Sequence, residues 1–176
     1  MNELYNACNL CPRKCHINRN LTTGICNNTS SIKVARSALH YFEEPSISGS
    51  NGSGTIFFSG CNLKCCYCQN KEISTNNFGI NISIKRLSEL MLDLQSKEAN
   101  NINLVTPTHF VPSIIEAIKL ARRNGLTIPI VYNTSGYESI DTIKLLDGYV
   151  DIYLTDFKYF DNKLGEDLSK VKNYFE

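Results

Sequence analysis

Three cysteines at C-x3-C-x2-C spacing, directly after a short apolar run, constrain this 176-residue chain more than any other feature. The thiols are Cys61, Cys65 and Cys68, and the apolar run, residues 55–58, is typical of a buried β-strand. A loop this short can fold three sulfurs round one point, and the strand before it holds the loop in place. An iron–sulfur cube normally takes four thiolates, so three ligands leave one iron open to a small molecule.

The residues around these cysteines resemble a known family. With an aromatic residue, Tyr67, directly before the third cysteine, the loop is similar to the cluster loop of the radical S-adenosylmethionine (SAM) enzymes. The flanking segments 57–61 and 68–70 resemble most the branch that activates glycyl radical enzymes, which includes the pyruvate formate-lyase activating enzyme. This resemblance extends from about Gly49 to Lys158.

The resemblance implies a particular chemistry. In that family a [4Fe–4S] cluster binds SAM at its open iron and cleaves it reductively to a 5′-deoxyadenosyl radical, which then abstracts a hydrogen atom. By analogy with the branch, the target is a glycine Cα on a partner glycyl radical enzyme, and the electron donor is of the flavodoxin or ferredoxin type. A non-catalytic iron–sulfur or zinc module, or a truncated remnant of such an enzyme, is the alternative.

The loop also has simpler interpretations. A zinc knuckle or a set of buried free thiols would use the same residues, but structural zinc usually recruits a second pair of ligands, and here no further cysteine or histidine follows until His109. A fourth thiol in the loop, Cys66, is expected by register to point away from the other three and to serve as a small packing residue.

A second group of cysteines opens the chain at C-x2-C-x3-C-x10-C spacing. Its members are Cys8, Cys11, Cys15 and Cys26. Two close thiols, a third nearby and a fourth brought back by a Gly-containing turn suit four-coordinate metal binding. Zinc and a second iron–sulfur cluster both accept such ligands, and free cysteines in a mobile arm are the other possibility.

Composition excludes several partners. The hydrophobic fraction is 42%, as in an ordinary globular protein. The formal charge is only +1, so the chain has no electrostatic footprint for nucleic acid or for an anionic membrane. It contains no apolar run near ~20 residues and no basic and then apolar leader, so we expect a cytoplasmic protein with no membrane partner. Eight cysteines in a reducing compartment indicate metal or cluster ligands rather than disulfides.

After the loop, helical and strand patterns alternate. Strands are predicted at 102–105, 128–132 and 150–154, and helices at 83–99, 112–123 and 139–146. Such βα units predict a parallel sheet with its site at the carboxyl ends of the strands. We therefore expect an α/β fold, a partial (β/α) barrel of the radical SAM type over residues 51–176, with an N-terminal Cys-rich segment and Gly/Ser linker over residues 1–50.

Polar segments follow these strands where the resemblance implies SAM contacts. The candidate contacts are Tyr67, Thr106, Thr108, His109, Asn133, Ser135, Asp156 and Lys158. The family usually has Gly-Gly-Glu-Pro after the second strand of this series, so the glutamate's charge is absent here. Simpler interpretations are helix-start packing for His109, turn chemistry for Asn133 and a surface ion pair for Asp156 with Lys158.

The barrel is expected to be incomplete. Only about four βα units can be counted before a polar, weakly periodic tail at 164–175, whereas a closed eightfold barrel takes roughly 250 residues. The last strand would then be a parallel edge with unpaired backbone groups. We accordingly expect a fragment or a split enzyme.

Overall fold

A computed structural model describes residues 2–175, and within them strands and helices alternate much as predicted. The strands are β1 (Ile32–His40), β2 (Ser53–Phe58), β3 (Ile80–Ile82), β4 (Ile102–Val105), β5 (Ile130–Thr134) and β6 (Ile152–Thr155). The α-helices are α1 (Pro45–Ser48), α2 (Lys71–Ser74), α3 (Ile84–Ser96), α4 (Val111–Arg123), α5 (Ile140–Leu145) and α6 (Asn162–Ser169). Two short 3₁₀ helices cover Asn2–Tyr5 and Thr108–Phe110.

The six strands form one mixed sheet in the order β3-β1-β2-β4-β5-β6. Strands β2, β4, β5 and β6 run parallel, as predicted; on the β2 side, β1 pairs antiparallel with β2 and β3 pairs antiparallel with β1. Strand β1 is not among the strands predicted from the sequence. Because β1 pairs with β2, the sheet includes residues on both sides of residue 50.

The two long helices form because their apolar residues recur at helical spacing. Helix α3 begins at Ser83, whose side chain accepts a hydrogen bond from the Arg86 amide at 3.1 Å. Its buried residues Leu87 and Met91 pack with residues of α4 against alternate residues of the parallel strands. The main core therefore lies on one face of the sheet.

The opposite face of the sheet carries polar side chains. Asn103 of β4 donates to the Glu43 carboxylate at 3.0 Å, and Asn133 of β5 approaches the same oxygen at 3.4 Å. Asn103 is fully buried, and its Oδ1 has no hydrogen-bond partner among residues 2–175. Buried polar groups of this kind are typical of the ligand-facing side of a sheet.

The segment predicted as a Gly/Ser linker is largely structured. The Gly/Ser-rich stretch expected as linker spans residues 46–54; it contains most of α1, and its last residues, Ser53 and Gly54, belong to β2. The tail predicted to be weakly periodic contains α6, which begins at Asp161, where the side chain caps the amides of Lys163 and Leu164. The cap of α6 is a local signal that the periodicity did not carry, whereas α1 is held by a tertiary contact, the Asn101 side chain donating to the Ile47 carbonyl at 2.7 Å. No helix in the described part of the chain is long and apolar enough to cross a membrane.

Candidate functional site

The cysteine loop follows β2 at the carboxyl edge of the parallel strands. Gly60, the first residue after Ser59, has φ of +79°, and a Cβ there would lie 2.0 Å from Asn28 Nδ2 and 2.2 Å from the Cys26 carbonyl oxygen. Only glycine fits this close approach. The start of the loop is therefore locked against the N-terminal cysteine segment.

The three predicted ligands share a pattern of hydrogen bonds to sulfur. The Leu63 amide donates to Cys61 Sγ at 3.4 Å, the Ser169 hydroxyl donates to Cys65 Sγ at 2.8 Å, and Ser74 Oγ lies 3.2 Å from Cys68 Sγ. All three thiols are partly buried, whereas Cys66 is exposed. Donors aimed at sulfur stabilise a thiolate ligand, so this donor set fits a bound cluster. The exposure of Cys66 agrees with its exclusion as a ligand but not with a packing role.

Burial raises the pKa of the Cys61 thiol to about 11, with the Leu63 amide opposing the shift and the nearby Cys65 and Cys68 adding to it. These three thiols are thus within electrostatic reach of one another. Because a buried thiol stays protonated at neutral pH, metal binding must displace its proton.

The loop itself contains a buried cation, the side chain of Lys64. Lys64 Nζ is buried and has neither a hydrogen-bond partner nor a carboxylate within ion-pair distance among residues 2–175. Its charge acts on Cys61, whose pKa it lowers against the larger effect of burial. A buried ammonium without a counter-ion is unfavourable, so its position fits an anionic thiolate-bound group in the loop.

The N-terminal cysteines also lie near one another. Burial raises the pKa of Cys11 to about 12, and the proximity of Cys15 and Cys8 adds to the shift; burial likewise raises the pKa of Cys26, again with Cys8 and Cys15 nearby. Across residues 2–175, however, no three His, Cys, Asp or Glu side chains are arranged as a ready site for a metal ion. The thiols share one neighbourhood, and a metal would have to draw them together.

Arg19 gives this neighbourhood its charge. It is fully buried, donates to the carbonyls of Asn28 and Thr29, and lies 5.1 Å from the ring centre of Tyr5. No carboxylate in the described part of the chain pairs with it, and its Nη1 is 3.9 Å from Cys8 Sγ. A buried guanidinium needs a counter-charge, and the nearby sulfurs supply one if they are thiolates.

The two cysteine groups meet at Asn62. The Asn62 side chain lies close enough to Cys11 to lower the pKa of that thiol slightly, against the larger effect of burial, and its Oδ1 is 3.8 Å from Cys61 Sγ. Arg13, which lies between Cys11 and Cys15, donates from Nε to the Asn62 carbonyl at 2.9 Å. The sequence placed a linker between the two groups; the fold brings them into contact.

The segments after the strands are placed as follows. The side chain of Thr106 is half-buried, and its backbone has a φ of +58°, in the left-handed region that is uncommon for a β-branched residue. Its amide donates to the Asn133 carbonyl at 3.0 Å. The Ser135 carbonyl accepts from the Tyr174 hydroxyl, and Lys158 Nζ lies 2.7 Å from Asp156 Oδ2. Burial lowers the pKa of Lys158, but the hydrogen bond and charge of Asp156 outweigh it, so the pKa is raised.

His109 is buried against the base of the cysteine loop. Its Nε2 is 2.8 Å from the Ser59 carbonyl, to which the ring donates when Nε2 carries the proton, and its Nδ1 is buried without a partner in residues 2–175. The ring is 3% exposed. Of its two sequence interpretations, these contacts match packing at the helix start.

His109 should make stability depend on pH. Burial, with the charges of Arg19 and Lys64, lowers its pKa from 6.5 to about 3, against the Ser59 hydrogen bond. Below pH 6.5 the unfolded chain gains a proton that the native ring does not, so stability is complete above 6.5 and falls as pH drops. Between pH 6.5 and 5 the native chain should lose about 1 kcal/mol per pH unit relative to His109→Gln, rising toward about 1.4 kcal/mol per pH unit below pH 5, measured by urea unfolding. Parallel pH profiles for the two proteins would contradict this.

Several site residues escaped the sequence reasoning. They are Arg13, Arg19, Glu43, Asn62, Glu138, Tyr159 and Ser169. Glu138 Oε1 accepts from Thr108 at 2.6 Å and also from Thr134, and burial raises its pKa against those two bonds. A carboxylate thus does reach the Thr106–Thr108 segment, from the next loop along the chain. Local sequence carried no signal of it, because the contact spans thirty residues.

Comparison with known proteins agrees with the cysteine loop. Residues 55–176 match the family model described as the radical SAM superfamily. The chain is also 36% identical, over 183 aligned positions, to uncharacterized protein MJ0674 of Methanocaldococcus jannaschii. That alignment covers 99% of this chain and 52% of the relative, so the chain spans about half the length of the curated protein it matches.

Proposed function

We propose, because this chain belongs to the radical SAM superfamily, that Cys61, Cys65 and Cys68 hold a [4Fe–4S] cluster at which SAM is cleaved. Membership of the superfamily implies the cluster and SAM as cofactors. The observation that carries the residue assignment is the set of hydrogen bonds to the three loop sulfurs beside the unpaired ammonium of Lys64. When bound, the cluster supplies the electron that cleaves SAM to a 5′-deoxyadenosyl radical.

The chain's own residues would position SAM. Asp156 and Lys158 offer a carboxylate and an ammonium at the end of β6, suited to the charged methionyl end of SAM. Thr106, Thr108, Asn133 and Ser135 offer hydroxyl, amide and carbonyl groups at the ends of β4 and β5. Glu138 anchors Thr108 and Thr134, so it supports these groups. Tyr67, half exposed beside Cys68, would cover the open face of the loop.

The proposal extends to the substrate from which the radical abstracts a hydrogen atom. By the resemblance of residues 57–61 and 68–70 to the activating branch, the radical would abstract hydrogen from a glycine Cα of a partner enzyme, with a flavodoxin- or ferredoxin-type donor supplying the electron. The competing function is a non-catalytic iron–sulfur or zinc module. It would use the same thiols, Cys61, Cys65 and Cys68, without binding SAM.

One experiment separates these two functions. The chain is purified anaerobically, reconstituted with iron and sulfide, reduced with dithionite and mixed with SAM. We expect a brown protein that yields 5′-deoxyadenosine; a colourless protein that contains only zinc would overturn the enzyme assignment.

We further propose that Cys8, Cys11, Cys15 and Cys26 hold a second metal, either zinc or an iron–sulfur cluster. The supporting observation is Arg19, fully buried without a carboxylate partner in the described residues and 3.9 Å from Cys8 Sγ. Four thiolates around a divalent cation leave net negative charge, which is what this guanidinium lacks.

We also propose that β6 pairs with further βα units of a longer barrel. Its residues Ile152 and Tyr153 are 37% and 44% exposed, and among the described strands it pairs only with β5. Co-expression with a segment corresponding to the remainder of the relative should bury this edge and slow amide hydrogen exchange in β6. Unchanged exchange in β6 would contradict the proposal.

A further inference from the structure

The C-terminal segment is paired with the cysteine loop. The Lys64 amide donates to the Ser169 carbonyl at 2.9 Å, and the Cys66 amide donates to the Leu168 carbonyl at 2.8 Å. These two bonds flank Cys65 and hold the end of α6 against it. The segment that the sequence presents as a polar tail is therefore part of the wall of the site.

Within this contact a chain of hydroxyl groups ends on a candidate cluster ligand. Ser169, which is fully buried, donates to Cys65 Sγ at 2.8 Å. The Tyr159 hydroxyl lies 2.5 Å from Ser169 Oγ, and the Tyr67 hydroxyl is hydrogen-bonded to that of Tyr159. The chain runs from half-exposed Tyr67, through two buried hydroxyls, to sulfur.

The direction of this chain is set by proton count. A serine hydroxyl has one proton, and Ser169 gives it to Cys65, so its oxygen must accept from Tyr159. Tyr159 has then used its own proton and must accept from Tyr67. All three hydroxyl dipoles therefore point their positive ends toward the sulfur, and each bond polarises the next.

Positive ends aimed at a ligand sulfur favour whichever state of the cluster carries more negative charge. Hydrogen bonds to the sulfurs are among the factors that set the potential of an iron–sulfur cluster. The reduced cluster carries one more electron than the oxidised one, so a donor on Cys65 stabilises it more. Breaking the bond should make reduction harder without removing a ligand.

We propose that Ser169, oriented by Tyr159, is a positioning residue that donates to Cys65 and raises the reduction potential of the loop cluster. This inference rests on the proposed function of the loop. It assigns to the C-terminal segment a direct effect on the electron-accepting step, whatever the hydrogen donor is.

The test is a redox titration of the reconstituted chain followed by electron paramagnetic resonance. In Ser169→Ala the ratio of reduced to oxidised cluster at the wild-type midpoint should fall about tenfold, equal to a shift of about 59 mV to more negative potential for one electron. Tyr159→Phe keeps the serine but removes its donor, so a smaller fall, about threefold, is expected. Ser169→Thr retains a hydroxyl, so its midpoint potential should lie close to the wild-type value.

A matched control comes from the same aromatic cluster. Tyr174→Phe removes a hydroxyl that bonds to the carbonyls of Ser135 and Asp156 and not to a thiol, so the midpoint should stay at the wild-type value. If Ser169→Ala fails to fold, Tyr159→Phe alone decides the matter.

The outcomes distinguish a failure of the proposed function from a failure of the role assigned to Ser169. A wild-type chain that takes up no iron–sulfur cluster overturns both the proposed function and this inference. A wild-type chain that carries the cluster, with Ser169→Ala or Tyr159→Phe titrating at the same potential, overturns the inference alone. A shift of equal size in Tyr174→Phe also overturns it, because the cause would then be general loosening of the C-terminal segment.

Discussion

Replacing any one of Cys61, Cys65 or Cys68 with alanine is expected to abolish both the iron–sulfur absorbance of the loop and the cleavage of SAM. Each thiol occupies its own position in the loop, and the fourth loop thiol, Cys66, is exposed whereas these three are partly buried. With two ligands left, the cluster loses a corner and Lys64 loses its counter-charge. Absorbance at about 400 nm and the iron and sulfide content measure the loss of the cluster, and the yield of 5′-deoxyadenosine measures the loss of SAM cleavage.

Cys66→Ala is the matched control for this series. It changes the same residue type within the same loop, but its side chain is exposed, and only its backbone amide bonds to the C-terminal segment. We expect wild-type cluster content and SAM cleavage in this variant. A Cys66→Ala protein without a cluster would show that the ligand assignment is wrong.

Replacing Cys8 and Cys11 together with serine is expected to remove one metal equivalent and to lower the free energy of unfolding by several kcal/mol. Structural thiolate sites contribute their binding free energy to folding, about 10 kcal/mol or more for zinc in small domains. Here the loss would also leave Arg19 buried without compensation, although other packing would retain part of the fold. Metal analysis and denaturant unfolding under anaerobic conditions measure both effects.

The loop should keep its own cluster in the same double variant. Cys61, Cys65 and Cys68 and their hydrogen-bond partners are untouched, and Asn62 loses only its proximity to the Cys11 thiol. Loss of both metals would instead show that the two cysteine groups form one unit through Asn62. No loss of metal at all would contradict the second site.

The α-helices and strands from α3 to β6 could be predicted because their signals are local, whereas α2 and β3, which directly follow the cysteine loop, were not predicted. Apolar residues at 87, 91 and 94 mark the buried face of α3, and short runs rich in aliphatic and aromatic residues at 102–105 and 152–155 mark β4 and β6. The ends of the three predicted helices differ from those in the structure by at most three residues. The cysteine loop could also be identified from the sequence, since its three candidate ligands lie within eight residues of one another.

What surrounds the loop was decided by the tertiary structure alone. Nothing in local periodicity indicates that Ser169 will donate to Cys65, 104 residues away, or that Arg13 will bond to Asn62 across 49 residues. The burial of Arg19 without a carboxylate likewise depends on which segments close over it. Spacing along the chain determines which residues can share a loop or a helix face. Contacts between distant segments depend on how the sheet and its loops pack, and that is why the sequence contained the ligands but not their environment.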